Sequence, residues 1–289
     1  MATTGTLFGY AVRSAFGHER LSGAPAARGT IEIDGCAPVV LDPARITHHD
    51  AGSDSSFAIA RDEDGSLAVS CSQAGGFRID ASALRVLADR SARSPEIWEH
   101  RLVTVVIPLL LSEQGDVALH AAAVVRDGRA AAFAGVSTRG KSTLALAATS
   151  LGLGILADDG VVIELGDDGG LVWPGPEGMR VARPGRAAKE TLLPAAVPPS
   201  AAPLAALVLL GPLGETGHSL EPVRPVEAVP SLVPSLIFSG PDRLAQAFRS
   251  AAALAETVPV YRCSMPRGVD RLPASLSAVL DLLLSGAGA

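Results

Sequence analysis

Gly135-Val136-Ser137-Thr138-Arg139-Gly140-Lys141-Ser142 reads G-x-x-x-x-G-K-S, and its flanks are those a phosphate-binding loop requires. Upstream, Ala130 to Ala134 is a short apolar run ending in Gly135. Downstream, Thr143-Leu144-Ala145-Leu146-Ala147-Ala148 consists of good helix formers. A loop held between a strand and a helix aims successive backbone N–H groups and the positive end of a helix dipole at one spot, where phosphate oxygens find donors. Gly135 and Gly140 permit the tight turn, Lys141 reaches the β- and γ-phosphates, and the Ser142 hydroxyl binds Mg²⁺. The nucleotide-contacting stretch is then Gly135, Val136, Ser137, Thr138, Arg139, Gly140, Lys141, Ser142 and Thr143. The bland alternative is a chance match in a chain with 30 Gly and 24 Lys plus Arg. The strand and helix flanks argue against it.

A chain of 289 residues, 48% apolar and 19% charged, folds as one large domain or two modest ones. Its net charge of −6 leaves no basic stripe to displace phosphate counterions, so nucleic acid is not an expected partner. Cys36, Cys71 and Cys263 are too far apart for a C-x-x-C metal or redox site and read as reduced structural cysteines. Met1 to Thr6 lacks the basic flank and long apolar core of a signal peptide, and Leu102 to Leu111 is too short to span a bilayer and contains Pro108. The expectation is a soluble cytoplasmic protein with no membrane partner, its oligomeric state left open.

From Leu7 to about Ile79, short alternating runs such as Thr30-Ile31-Glu32-Ile33-Asp34 are separated by Gly, Asp and Pro turns, the mark of a small antiparallel β unit. Ala81 to Ala88 carries helical spacing, as does Ile97 to Ser112, the latter with Trp98, Leu102, Val105 and Leu109 as its stripe. Ala118 to Val125 reads as one strand, joined through an Asp127-Gly128 hairpin turn to the strand before the loop. After the loop helix, Gly152 and Gly154 supply a stop and Ile155-Leu156-Ala157 begins a strand, expected to run parallel to the one before the loop. Residues 194–203 read as a surface connection, 203–210 as a strand, and 272–284 as an amphipathic helix. The Pro-interrupted stretch 215–239 is left unassigned.

Asp158-Asp159 stands at the end of that third strand. A carboxylate there is where Mg²⁺ or an attacking hydroxyl needs one. Neighbouring strand residues point to opposite faces, so one aspartate could bind the metal through Ser142 and water while the other accepts a hydroxyl proton. The alternative is a plain Asp-Asp-Gly turn. His120 is either a half-buried strand residue or a site residue brought close by its strand. His48-His49-Asp50 lacks further ligands at metal-site spacing and reads as a polar turn.

His120, the loop from Gly135 to Ser142, and Leu156-Ala157-Asp158-Asp159 occur in the order and spacing of the HPr kinase/phosphorylase family, whose core resembles phosphoenolpyruvate carboxykinase. The resemblance is specific over Ala118 to Glu164. Phe8-Gly9-Tyr10, Gly76-Phe77 and Pro259-Val260-Tyr261 are similar to divergent HPr-kinase-like proteins found beside peptide-modifying enzymes, including lasso-peptide kinases. It implies a mixed α/β fold, α+β overall, with a β-rich N-terminal unit and linking helices over 1–112 and a nucleotide-binding domain over 113–289. It implies ATP and Mg²⁺, catalytic Lys141, His120 and Asp158 with Asp158 as base, metal-binding Ser142 and Asp159, and a peptide or small-protein acceptor phosphorylated on serine or another hydroxyl. Thr138 departs from the usual second glycine of the loop. No glycine-rich segment with a metal-binding glutamate follows the aspartates, and Glu164 and Glu177 are poor substitutes. Two rivals stay open: a nucleotide-sensing regulatory module, and a small-molecule kinase or ATPase.

Overall fold

The computed structural model describes residues 3–51, 56–89, 91, 94–135, 140–167, 169–181, 190–192, 198, 200–214 and 217–284. The fold is mixed α/β. Eight N-terminal strands, β1 (Thr3–Leu7), β2 (Tyr10–Ser14), β3 (Gly29–Gly35), β4 (Ile46–Ala51), β5 (Ser56–Arg61), β6 (Leu67–Cys71), β7 (Gly75–Asp80) and β8 (Arg85–Ala88), form one sheet in the order β1-β2-β3-β8-β7-β6-β5-β4. β3 runs parallel to both β2 and β8, so the sheet is mixed and not the purely antiparallel unit expected. His48 and His49 lie within β4, not in a turn.

The helical spacing of Ala81–Ala88 is overruled. Asp80 accepts from the Ser82 hydroxyl and the Ala83 N–H, which fixes a turn, and Leu84 follows at φ 51°. Val86 and Ala88 are then buried at strand period between β3 and β7. Cross-strand pairing with burial outweighs weak local helix preference.

Two helical segments lie beneath this sheet. α1 (Pro95–Arg101) starts at Ser94, whose hydroxyl accepts from Ile97 N–H, with Pro95 in the first turn. A π-helical turn, Leu102–Val106, leads into α2 (Ile107–Glu113). Pro108 has no N–H to offer the Thr104 carbonyl four residues earlier, so the regular ladder fails at this turn. The helix expected over Ile97–Ser112 is present, interrupted by that turn, with Trp98, Leu102 and Leu109 buried and Val105 half-buried; burial extends beyond that stripe to Val103, Thr104 and all of 106–111. The segment lies between sheets, sharing a core with Phe8, Phe77 and Trp98 on one side and Ala118 and Val162 on the other.

The second sheet comprises β9 (Val117–Leu119), β10 (Ala121–Arg126), β11 (Arg129–Ala134), β12 (Gly154–Ala157), β13 (Val161–Gly166), β14 (Gly169–Val172), β17 (Ala202–Leu210), β18 (Ser219–Val223) and β19 (Val260–Ser264); β15 (Met179–Val181) and β16 (Glu190–Leu192) pair separately. Asp127 and Gly128 both have positive φ, 52° and 75°, as a two-residue hairpin between β10 and β11 demands. The single strand expected over Ala118–Val125 is broken at His120: β9 pairs with β13, whereas β10 pairs with β11 and β12. The break arises because the Ser235 carbonyl accepts the His120 N–H at 2.6 Å, in place of a ladder partner. β12 is antiparallel to β10, which is antiparallel to β11, so β12 does run in the same sense as β11, with β10 between them.

α3 (Lys141–Ser150) and α6 (Leu272–Leu284) cover one face of this sheet, sharing a core with Phe133, Val208 and Cys263. α4 (Pro225–Leu232) and α5 (Leu244–Thr257) cover the other, with Leu207, Leu209 and Val260. α4 fills part of the stretch the sequence left unassigned. Among the described residues no helix is long and apolar enough to cross a membrane.

A charged clamp ties the first sheet to the chain between α4 and α5. Arg61 of β5 grips both Glu113 oxygens at 3.1 Å and Asp242 at 3.0 Å. Glu113 also accepts from the Ser239 hydroxyl at 2.7 Å and meets Arg243 at 3.0 Å. With 7% of its side chain exposed, Glu113 is the buried anion on which two arginines converge. Glu113→Ala removes the anion between Arg61 and Arg243 and leaves Arg61 to Asp242, and we expect a loss of roughly 1.5–3 kcal/mol. Urea unfolding checks this; a midpoint unchanged from wild type would show the clamp to be energetically idle.

Candidate functional site

β11 delivers the chain to Gly135, and residues 136–139, four of the expected nucleotide contacts (Val136, Ser137, Thr138 and Arg139), lie outside the described residues. Gly140 re-enters at φ 86° as the N-cap of α3. An added Cβ there would meet nothing within 4 Å, so the glycine is needed for its backbone conformation and not for space. The first turn of α3 carries no acidic side chain of its own. Lys141 is 5% exposed and donates from Nζ to the Gly135 carbonyl at 2.7 Å. Ser142 and Thr143 follow half-buried in the first turn.

The helix ends in a Schellman arrangement: Leu153 N–H bonds the Ala148 carbonyl, Gly152 N–H bonds Thr149, and Gly152 takes φ 71°. This turns the chain straight into β12, so β11 and β12 deliver Gly135 and Asp158 to the same end of the sheet. Asp158 and Asp159 stand just beyond β12 and not on it, so strand alternation does not separate them. Asp159 takes φ 68° instead, turning away from its neighbour. Asp158 is 2% exposed, and the Asp159 side chain 16%.

Two imidazoles flank Asp159. His120 Nδ1 donates to the Asp159 carbonyl at 2.9 Å, which directs the remaining ring nitrogen, Nε2, to 3.7 Å from Oδ1. From the other side His100 Nε2 stands 3.8 Å from Oδ2. His100 Nδ1 lies 3.0 Å from Arg20 Nη1. A guanidinium only donates, so Nδ1 accepts and the ring N–H sits on Nε2, facing the carboxylate. Arg20, 5% exposed, also donates to the Glu177 and Gly178 carbonyls.

The structure thus brings Gly135, Gly140, Lys141, Ser142, Asp158, Asp159 and His120 to one end of the second sheet. Sequence reasoning missed His100 and Arg20, which arrive from the N-terminal unit. His100 lies off the apolar stripe of its helix, and nothing local in the sequence signals its partner at Asp159. Glu164 is committed elsewhere, accepting from Trp173 Nε1 at 2.8 Å and lying 3.7 Å from Arg28 Nε, and Glu177 meets Arg20 through its backbone carbonyl. Among the described residues no group of three or more His, Cys, Asp and Glu gathers as a metal site.

No family model matches the sequence. Nor does any curated protein. Among solved structures, the HPr(Ser) kinase/phosphatase from Coxiella burnetii aligns with 58% of this chain and 99% of its own, at 12% identity and a TM-score of 0.33.

Glu99, next to His100 on α1, holds the Arg20 segment by accepting from the Glu19 and Arg20 N–H groups at 2.8 and 3.0 Å. Burial opposes its ionisation, but His18 at 3.5 Å and those two N–H donors outweigh it and hold the carboxyl below its ordinary value of 4.5. A depressed carboxyl adds stability that is present above its unfolded value and lost as pH falls through the folded one. Glu99→Gln should be less stable by roughly 1–3 kcal/mol at neutral pH, with the gap closing as pH drops below 4.5. Urea unfolding at both pH values provides the comparison, and a pH-independent gap would assign the loss to packing.

Proposed function

We propose that the protein is an ATP-dependent kinase that moves the γ-phosphoryl group to a serine, or another hydroxyl, of a peptide or small protein. The observation that carries this reading is the meeting, at one end of one sheet, of the Gly140–Lys141 helix start with the Asp158–Asp159 turn. A helix N-terminus and a lysine suit polyphosphate, and a carboxylate beside them suits a hydroxyl nucleophile.

The donor set fits Mg²⁺, which favours hard oxygen ligands and binds through one or two protein groups plus phosphates; Ser142 and an aspartate of the pair would hold it. Bound there, the ion would neutralise charge on the β- and γ-oxygens. Lys141 exchanges the Gly135 carbonyl for a phosphate oxygen, a stronger acceptor for an ammonium. Asp158 accepts the acceptor's hydroxyl proton as that oxygen bonds to the γ-phosphorus, and the bond to the β–γ bridging oxygen breaks to release ADP. His120 and His100 fix the Asp159 side of the turn.

One observation favours exchanging the two aspartate roles. Asp158 is almost wholly buried, whereas Asp159 keeps an exposed edge between two imidazoles. Side-by-side Asn variants separate the assignments. The base variant keeps ATP affinity and loses roughly 10²- to 10⁴-fold in single-turnover transfer, while the metal-side variant shifts the Mg²⁺ requirement. Transfer from γ-labelled ATP to serine peptides is the assay. If the wild type binds ATP yet transfers nothing to peptide, small hydroxyl compound or water, the kinase reading gives way to a nucleotide-sensing module.

Lys141→Ala should weaken ATP binding by ~1.5–3 kcal/mol, roughly ten- to a hundredfold. Equal affinities for variant and wild type in a calorimetric titration would remove the lysine from nucleotide binding.

A further inference from the structure

Beside Gly135, a cavity of about 190 Å³ opens at the carboxyl ends of the parallel strands β11 and β17. Gly135 and Gly211 form its strand-end walls, Ser231 and Ser235 come from α4 and the turn after it, and Arg262 comes from β19. Strand alternation puts Arg262 on the same face as Val260, the α4–α5 face, whereas Tyr261 and Cys263 face α3 and α6. The cavity therefore reaches the loop from the side opposite the helix that carries Lys141.

Its chemistry is that of an anion site with hydroxyl neighbours. Arg262 is exposed and, among the described residues, makes no hydrogen bond or ion pair, although Glu221 is its register partner on β18 and its charge is felt at Glu227. A permanently charged guanidinium with a planar fork of donors matches a carboxylate or phosphate. Ser235 is 3% exposed, and its carbonyl accepts the His120 N–H, so the cavity shares a wall with the histidine beside Asp159. The space, about 190 Å³, is open to solvent on one side. It falls below the ~300–1,000 Å³ of pockets that engulf a drug-sized ligand. That is room for an amino-acid side chain with a charged group.

We propose that this cavity is the acceptor pocket, and that it selects hydroxyl acceptors carrying an anionic group, which Arg262 holds. The proposal rests on the kinase reading for its reaction but not for its binding.

The probes are the matched dipeptides N-acetyl-Ser-Asp-amide and N-acetyl-Ser-Asn-amide, followed by ligand-observed NMR titration against full-length wild type, Arg262→Gln and Arg262→Lys. Binding of MgATP is measured in parallel by calorimetry, and thermal unfolding checks that the variants fold. The wild type should bind the aspartyl probe about tenfold or more tightly than the asparaginyl one. Arg262→Gln should erase that difference with MgATP affinity unchanged, and Arg262→Lys should keep part of it. Equal binding of both probes by the wild type, or a preference that survives Arg262→Gln, overturns the proposal. So does a fall in MgATP affinity with the peptide preference intact, which would give Arg262 to the nucleotide's phosphates. If the acidic preference depends on Arg262 but no phosphoryl group moves, the kinase reading fails and the pocket stands. If both probes are phosphorylated with equal efficiency, the reverse holds.

Discussion

Gly160 has room for a hydrogen and nothing larger, because a Cβ there would stand 2.8 Å from the Thr104 carbonyl oxygen. That carbonyl belongs to the π-helical turn, where Pro108 withholds the N–H that would otherwise bond it. The turn bearing Asp158 and Asp159 is thus pressed against the helical segment between the two sheets. Asp159 faces His100 from that same segment, and Thr104 in turn bonds its hydroxyl to the His100 carbonyl at 2.7 Å. The position of the aspartates depends on the N-terminal unit as much as on the strand that delivers them.

This dependence gives the first sheet a part in the site. Arg20 straps the chain before β3 to Glu177, Gly178 and His100, and Glu99 anchors the backbone of Arg20. The Arg61–Glu113–Arg243 clamp joins β5 to the start of α5. Buried charges of this kind add little net stability over a well-packed apolar contact, but removing one partner is costly, so they fix geometry.

What the sequence made legible was local. The left-handed Gly140, the helix it opens, the Asp127-Gly128 hairpin and the helix over 272–284 all follow from short-range chemistry: glycine backbone freedom, turn preference and apolar periodicity. What it hid was non-local. Ala81–Ala88 has helical composition, but becomes a turn and then the strand β8, which fills the lane between β3 and β7. Ala118–Val125 looks like one strand, but breaks at His120 because its N–H finds Ser235, more than a hundred positions away. Arg20, His100 and Arg262 sit in stretches with no motif, and each matters only through what the fold sets beside it.

The proposed kinase reading requires that the end of β11 and the start of α3 form a polyphosphate site, opened when Lys141 leaves the Gly135 carbonyl. Calorimetric titration of the full-length protein with ATP, ADP and AMP in the presence of Mg²⁺ tests it most directly. The account predicts that ATP and ADP bind and that AMP, lacking the β-phosphate that the lysine and helix pole address, binds at least about a hundredfold more weakly. Equal affinity for AMP and ATP, or binding of none of the three, would contradict it.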